Sequence, residues 1–367
     1  MKQAAGSIII PGKIFTGTQW LQEHAICCEQ GLIKAIVPAA SIGSNEAVQY
    51  YPHLFAAPAF LDLQVYGAAG KLLAAFPDPS SLHLLSEHNR RSGTIYCLPT
   101  VATNTQEVVY ACIDAVRSYQ SEGGQGVGGL HIEGPWIHPD RRGAHIASLV
   151  HPPEPAEVDD LLNYGKDVIR MITLAPEIVN PALVKRIRDA GIIVSAGHSN
   201  ATYNEAMQAF DNRVTTVTHL FNAMSPLQHR APGLVGATLD HASVTASIIP
   251  DGYHVDFAAI RIAKKAMGER LFAITDAVTD TTTGYYPHTR SGDKYEAGGI
   301  LSGSALTMQA ALQNLVTHAI APLEEALRMC SLYPARVMGL EKYYGMIDPG
   351  YSADFILLDK TLAVIPV

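Results

Sequence analysis

The sequence predicts an α/β protein, a parallel (β/α)8 TIM-like barrel joined to a small β-sandwich domain built from both ends of the chain. Three observations predict it. Eight short apolar runs between residues 59 and 277 alternate with stretches of helical periodicity. The flanking segments, 1–57 and 345–367, have strand-and-turn texture instead. The ends of the eight runs collect carboxylate and imidazole side chains, at the barrel edge where ligands bind.

Composition narrows the class. The chain has 367 residues, 48% hydrophobic and 16% charged, which fits a compact protein with a full core and excludes a disordered one. A formal net charge of -8 argues against a nucleic-acid or anionic-membrane partner. The five cysteines, Cys27, Cys28, Cys97, Cys112 and Cys330, are odd in number and irregularly spaced, with no CxxC. A disulfide scaffold or cysteine-ligated zinc is therefore not expected, and a reducing cytoplasm is. The opening MKQAAGSIIIPGKIF lacks a signal peptide's long apolar stretch, and no apolar run approaches the ~18 residues of a membrane helix.

Taken in order, residues 1–57 alternate apolar and polar side chains in SIIIPGKIF, AICCEQGLIKAIVP and AVQYYPHLFAAP, punctuated by Gly and Pro. The barrel is expected over 58–344. Its strands are read at 59–67, 93–100, 129–134, 168–177, 192–199, 214–222, 243–252 and 270–277. Helical stretches such as TQEVVYACIDAVRSYQ and DFAAIRIAKKAMG lie between them. An open doubly wound sheet is the competing topology, but no GxGxxG follows the first strand, and GGQGVGG at 123–129 precedes a strand and reads as a loop. After two helices with Leu, Ala and Met at core spacing, residues 345–367 return to strand texture and can complete the first sheet.

The residues ending the eight runs are Gln64, Thr100, Glu133, Pro176, His198, His219, Asp251 and Asp276. Glu133, His198 and His219 offer one carboxylate and two imidazoles. That set suits a catalytic divalent ion and leaves positions open for water and substrate. Such an ion lowers the pKa of its water to about 7. Asp276 can take the water proton and return it to a leaving amine, the alternative being a helix N-cap. His145, in the loop after Glu133, can polarise a carbonyl or be a surface histidine. His254 and Arg230 follow late strands, where barrel loops often bind phosphate, or are solvated loop residues. Asn222 and Ala223 can offer an amide and a backbone N–H to an oxygen-rich ligand, and Gln64 is counted among the substrate contacts.

At these residues the chain resembles the N-acetylglucosamine-6-phosphate deacetylases of the amidohydrolase superfamily. The resemblance rests on PAFLDLQVYG, GLHIEGPWI, SAGHSNATYNEA, THLFNAMSPLQHRAPGLVGATLD, IPDGYHVD, ITDAV and the closing MIDPGYSADFILLD, and it runs from residue 58 to about 358. It implies hydrolysis of the acetamide of N-acetylglucosamine-6-phosphate to glucosamine-6-phosphate and acetate. Glu133, His198 and His219 are then metal ligands, Asp276 the general base and acid, and His145 the contact to the acetamide carbonyl. Asn222, Ala223 and His254 become sugar-phosphate contacts. Arg230 reaches the phosphate of a neighbouring subunit, which implies a homodimer. The metal is expected to be zinc, with iron, cobalt or manganese as alternatives. Where many amidohydrolases carry His-x-His, this chain has Gln64 and Tyr66, so a single-metal site is expected. The rival readings are deacetylation of another N-acetylated amino sugar, such as N-acetylgalactosamine-6-phosphate, and a non-catalytic sugar-phosphate-binding barrel.

Overall fold

A computed structural model describes residues 6–44, 46–297 and 299–366. Its largest sheet has eight strands: β1 (Phe60–Val65), β2 (Thr94–Ala102), β3 (Leu130–Glu133), β4 (Ile169–Leu174), β5 (Ile193–Ala196), β6 (Thr216–Val217), β7 (Thr245–Ile248) and β8 (Leu271–Ala273). They lie side by side in chain order, and each pair from β2 to β8 is parallel. The ends of the series meet through a parallel bridge between Val65 and Ala277. All eight apolar runs therefore supply barrel strands. The runs are Val- and Ile-rich, with side chains buried along their length, as a parallel sheet covered on both faces requires. Helices such as Gln106–Ser121, Pro181–Asp189 and Phe257–Met267 provide the crossovers.

The seam of the barrel is reinforced by Asp62, which is 1% exposed. Its carboxylate accepts the backbone N–H of Thr275 at 3.1 Å and the Thr275 hydroxyl at 2.5 Å. Burial pushes the Asp62 carboxyl up to about 6, although these hydrogen bonds pull the other way. Strand β6 is much shorter than the run that predicts it, because the chain turns through left-handed conformations at His219 (φ 34°) and Phe221 (φ 81°). The barrel interior is not wholly apolar. His131 bonds to the Thr173 hydroxyl at 2.7 Å, and Thr218 lies 2.7 Å from Thr173 and 2.6 Å from Ser195.

A second sheet has seven strands: Ser7–Phe15, Trp20–Gln22, His24–Glu29, Leu32–Pro38, Val48–Pro58, Phe355–Leu358 and Val364–Ile365. Phe355–Leu358 pairs antiparallel with Val48–Pro58, so both ends of the chain build it, as expected from sequence. Ile9, Ile14, Ile26, Ile33, Phe355 and Leu357 form its core. By contacts the chain divides into two compact units, one of Met1–Leu61, Asn89–Ile95 and Thr307–Val367, the other of Asp62–His88 and Tyr96–Leu306. All five cysteines are free, and among the described residues no helix is long and apolar enough to cross a membrane.

Residues 278–306 carry an element that the periodicity does not announce, a three-stranded antiparallel sheet of β9 (Thr289–Ser291), β10 (Lys294–Ala297) and β11 (Ile300–Ser304). Its strands are short and mostly exposed or half-buried, so they lack the apolar runs that mark the barrel.

Candidate active site

Four side chains at the carboxyl ends of barrel strands meet in one cavity of about 390 Å³ within the second unit. Glu133 closes β3, His198 and His219 follow β5 and β6 by two residues each, and Asp276 follows β8 by three. All are at least nine-tenths buried. His198, His219 and Asp276 take left-handed backbone conformations, with φ of 47°, 34° and 53°. Each such conformation costs a non-glycine residue about 1–3 kcal/mol, so the surroundings must impose it. They do so through the backbone. The His198 carbonyl accepts the N–H of His138 at 2.8 Å, the His219 N–H donates to the Ser247 hydroxyl at 2.8 Å, and the Asp276 N–H donates to the Gln64 carbonyl at 2.9 Å.

The ligand atoms of Glu133, His198 and His219 all lie within 4.8 Å of one another. Glu133 Oε1 is 3.0 Å from His219 Nε2 and 3.3 Å from His198 Nε2, and the two Nε2 atoms are 3.1 Å apart. The tautomer of His198 follows from its other side. Its Nδ1 lies 2.9 Å from the Arg141 carbonyl, which can only accept, so Nδ1 carries the proton. The Nε2 lone pair is then turned toward a carboxylate oxygen, and a proton or a cation must lie between two acceptors. Burial alone would raise the Glu133 carboxyl, but its interactions with His198, His145 and His219 outweigh it and hold it well below the usual carboxylate range. Glu133 is therefore an anion at neutral pH, as a metal ligand must be.

The sequence model of the Amidohydrolase family matches residues 82–366, and that of the NagA composite domain matches residues 9–46. The chain belongs to the amidohydrolase family. It is 33% identical to the N-acetylglucosamine-6-phosphate deacetylase of Haemophilus influenzae over 96% of this chain and 95% of that protein. It is 32% identical to the N-acetylgalactosamine-6-phosphate deacetylase of Escherichia coli O157:H7, with the same coverage. The crystal structure of N-acetylglucosamine-6-phosphate deacetylase from Pasteurella multocida superposes with a TM-score of 0.93 at 32% identity, over 98% of this chain and 97% of that one.

Amidohydrolases are metal-dependent, and the Glu133, His198 and His219 set fits a divalent ion on two counts. Its one carboxylate and two imidazoles leave coordination positions open, and Oδ1 of Asp276, in the same cavity, is buried without a hydrogen-bond partner. Burial pushes the Asp276 carboxyl well above the ordinary range, and the charges of Glu133, Asp62 and Asp251 add to the shift.

The structure of this amidohydrolase places the other predicted residues unequally. His145 is in the cavity, with its Nε2 3.4 Å from Glu133 Oε2 and its Nδ1 2.7 Å from the Thr103 hydroxyl. Burial and the neighbouring His198 lower its imidazole to about 4, so it is neutral at pH 7. The Thr103 hydroxyl can donate to Nδ1, which leaves the proton on Nε2. Asn222, Ala223 and His254 also line the cavity. Asp251 orients His254 by accepting its Nδ1 at 2.6 Å and its backbone N–H at 2.8 Å.

Two residues stand elsewhere. Gln64 is 1% exposed and does not line the cavity; its side-chain amide donates to Glu133 Oε1 at 2.9 Å and to the Tyr66 hydroxyl at 3.0 Å. Arg230 is exposed and lies outside the cavity of its own chain. Sequence reasoning passed over Tyr66 as a support: its hydroxyl donates to Glu133 Oε2. A signal was present, because Asp62, Gln64 and Tyr66 alternate along one strand and so share its inward face. It also missed Arg141, Tyr286, His288 and Ser302 as cavity-lining residues. The last three come from the 278–306 segment, where no motif marks them.

Proposed function

We propose that this amidohydrolase hydrolyses the acetamide of N-acetylglucosamine-6-phosphate to glucosamine-6-phosphate and acetate. The observation that carries the reading is the unpartnered, buried Oδ1 of Asp276 sharing one cavity with the converging atoms of Glu133, His198 and His219. A divalent ion held by those three residues would supply Lewis-acid polarisation of the acetamide and a more acidic water. We take it to be a single zinc, with iron, cobalt or manganese able to replace it. Asp276 receives the proton of the attacking water and passes it to the departing nitrogen. The Nε2–H of His145 stabilises the negative charge growing on the carbonyl oxygen.

Asn222, Ala223 and His254 hold the sugar phosphate, with Gln64 acting on the substrate through the acidic groups it supports. Arg230 serves a neighbouring active site in a cytoplasmic homodimer, which is consistent with its position outside its own cavity. The galacto epimer is the second reading, favoured by the 32% identity to the Escherichia coli O157:H7 enzyme that is named for it.

The test is acetate release from N-acetylglucosamine-6-phosphate, its galacto epimer and unphosphorylated N-acetylglucosamine, with metal content measured on the same sample. The highest kcat/KM is expected for the phosphorylated gluco substrate with one ion per chain. A higher value for the epimer reassigns the substrate. No turnover by metal-loaded protein on any of the three refutes deacetylation.

A further inference from the structure

The cavity is poor in positive charge for a site that takes a phosphate ester. Its lining includes the acidic side chains of Glu133, Asp140 and Asp276, and one side chain with a permanent positive charge, Arg141. Arg141 is held in place from three sides. Its backbone N–H donates to the His138 carbonyl, its own carbonyl receives His198 Nδ1 at 2.9 Å, and its Nε donates to Asn200 Oδ1 at 2.9 Å.

What remains is the end of the fork. Among the described residues Nη1 and Nη2 have no hydrogen-bond partner, and the guanidinium forms no ion pair. Asn200 ties the guanidinium to the next loop. There the Ser199 N–H donates to the Ala223 carbonyl at 3.2 Å, and the Ser225 N–H donates to the Ser199 carbonyl at 3.0 Å. The oriented fork is thus anchored to the backbone that carries Asn222 and Ala223, both in the cavity. A planar fork with Nε restrained and two terminal nitrogens free suits bidentate contact with phosphate oxygens.

We infer that Arg141 is a specificity-determining residue, the cation supplied by the same chain to the anionic group of the substrate. This rests on the phosphosugar reading above. It differs from the role given to Arg230, which needs a second copy of the chain.

The experiment compares wild type, R141A and R141K on phosphorylated and unphosphorylated N-acetylglucosamine, with metal content as the control for the His198 contact. In R141A the KM for the phosphosugar should rise roughly 10- to 100-fold, the range for one charge-assisted contact. The values of kcat, metal content and activity on the unphosphorylated sugar should stay within about twofold. R141K keeps the charge but not the fork and should fall between. The inhibition constant of glucosamine-6-phosphate should rise in parallel in R141A, and that of glucosamine should not. Equal losses on both sugars, or a phosphosugar KM within about twofold of wild type, overturn the inference alone. Wild type acting equally well on both sugars overturns the phosphosugar reading, and this inference with it.

Discussion

Tyr66→Phe isolates the support of the candidate metal-binding carboxylate, Glu133, from the candidate ligands themselves. Glu133 Oε1 is directed at the two histidine nitrogens and receives the Gln64 amide at 2.9 Å. Oε2 receives the Tyr66 hydroxyl, and its other neighbour, His145 Nε2, is more distant at 3.4 Å. Removing one hydroxyl therefore strips Oε2 of its main donor while leaving all three ligands and the aromatic ring in place. A hydrogen bond to a charged group contributes about 1.5–3 kcal/mol. Lost in full, that converts to a roughly 10- to 100-fold weaker metal site, the range expected for partners that orient a ligand. The assay is competition for zinc with a chromophoric chelator, alongside thermal unfolding of the metal-free protein. The expected result is weaker metal binding with a metal-free Tm close to wild type. Metal affinity within about twofold of wild type would refute the idea that Tyr66 fixes which carboxylate oxygen faces the ion.

Asp276→Asn should retain metal and substrate binding while lowering kcat by about 10²–10⁴-fold, and near-normal turnover in a metal-loaded variant would remove Asp276 from proton transfer. Treatment with a strong chelator should abolish acetate release, and readdition of zinc should restore it; activity in metal-free protein counts against the Glu133, His198 and His219 assignment. Asp251→Asn weakens the acceptor that orients His254 and should raise KM for the phosphosugar more than it lowers kcat, readable from initial rates. Asp62 makes a pH-dependent contribution. Its carboxyl titrates near 6 in the folded chain, raised from an ordinary 3.8, so the folded state keeps a proton that the unfolded chain has lost. The contribution to stability from this group is greatest below the unfolded value and declines as pH rises toward and past the folded one. Between pH 5 and pH 7 the loss is about 1 kcal/mol, measurable by urea unfolding, and Asp62→Asn should lack it. Identical pH slopes in the two proteins would contradict this origin.

The barrel was legible in the sequence because its determinants are local. A buried parallel strand needs a short run of β-branched residues, and a crossover needs helical periodicity; both are read without knowing what lies across the fold. The common direction of the strands then puts Glu133, His198, His219 and Asp276 at one edge, so the core of the site followed from counting strands. The sequence by itself therefore determined the architecture and brought the candidate reacting groups to one edge of it.

Tertiary structure alone decided how those groups are held and which charges join them. Gln64 and Tyr66 support Glu133 across 69 and 67 residues. Their identity as supports depends on side chains meeting across the barrel interior, from strands that are not neighbours in the sheet. Arg141 enters the cavity and Arg230 does not, although both sit in Arg-containing loops after barrel strands. Loop paths are set by hydrogen bonds such as those that join Arg141 with Asn200 and with His198, made between loops far apart in the chain. Residues 278–306 bring Tyr286, His288 and Ser302 into the cavity on strands too short and exposed to leave a periodic mark. Strand periodicity records which face is buried, whereas the partner of a buried polar atom is fixed only when distant segments pack together.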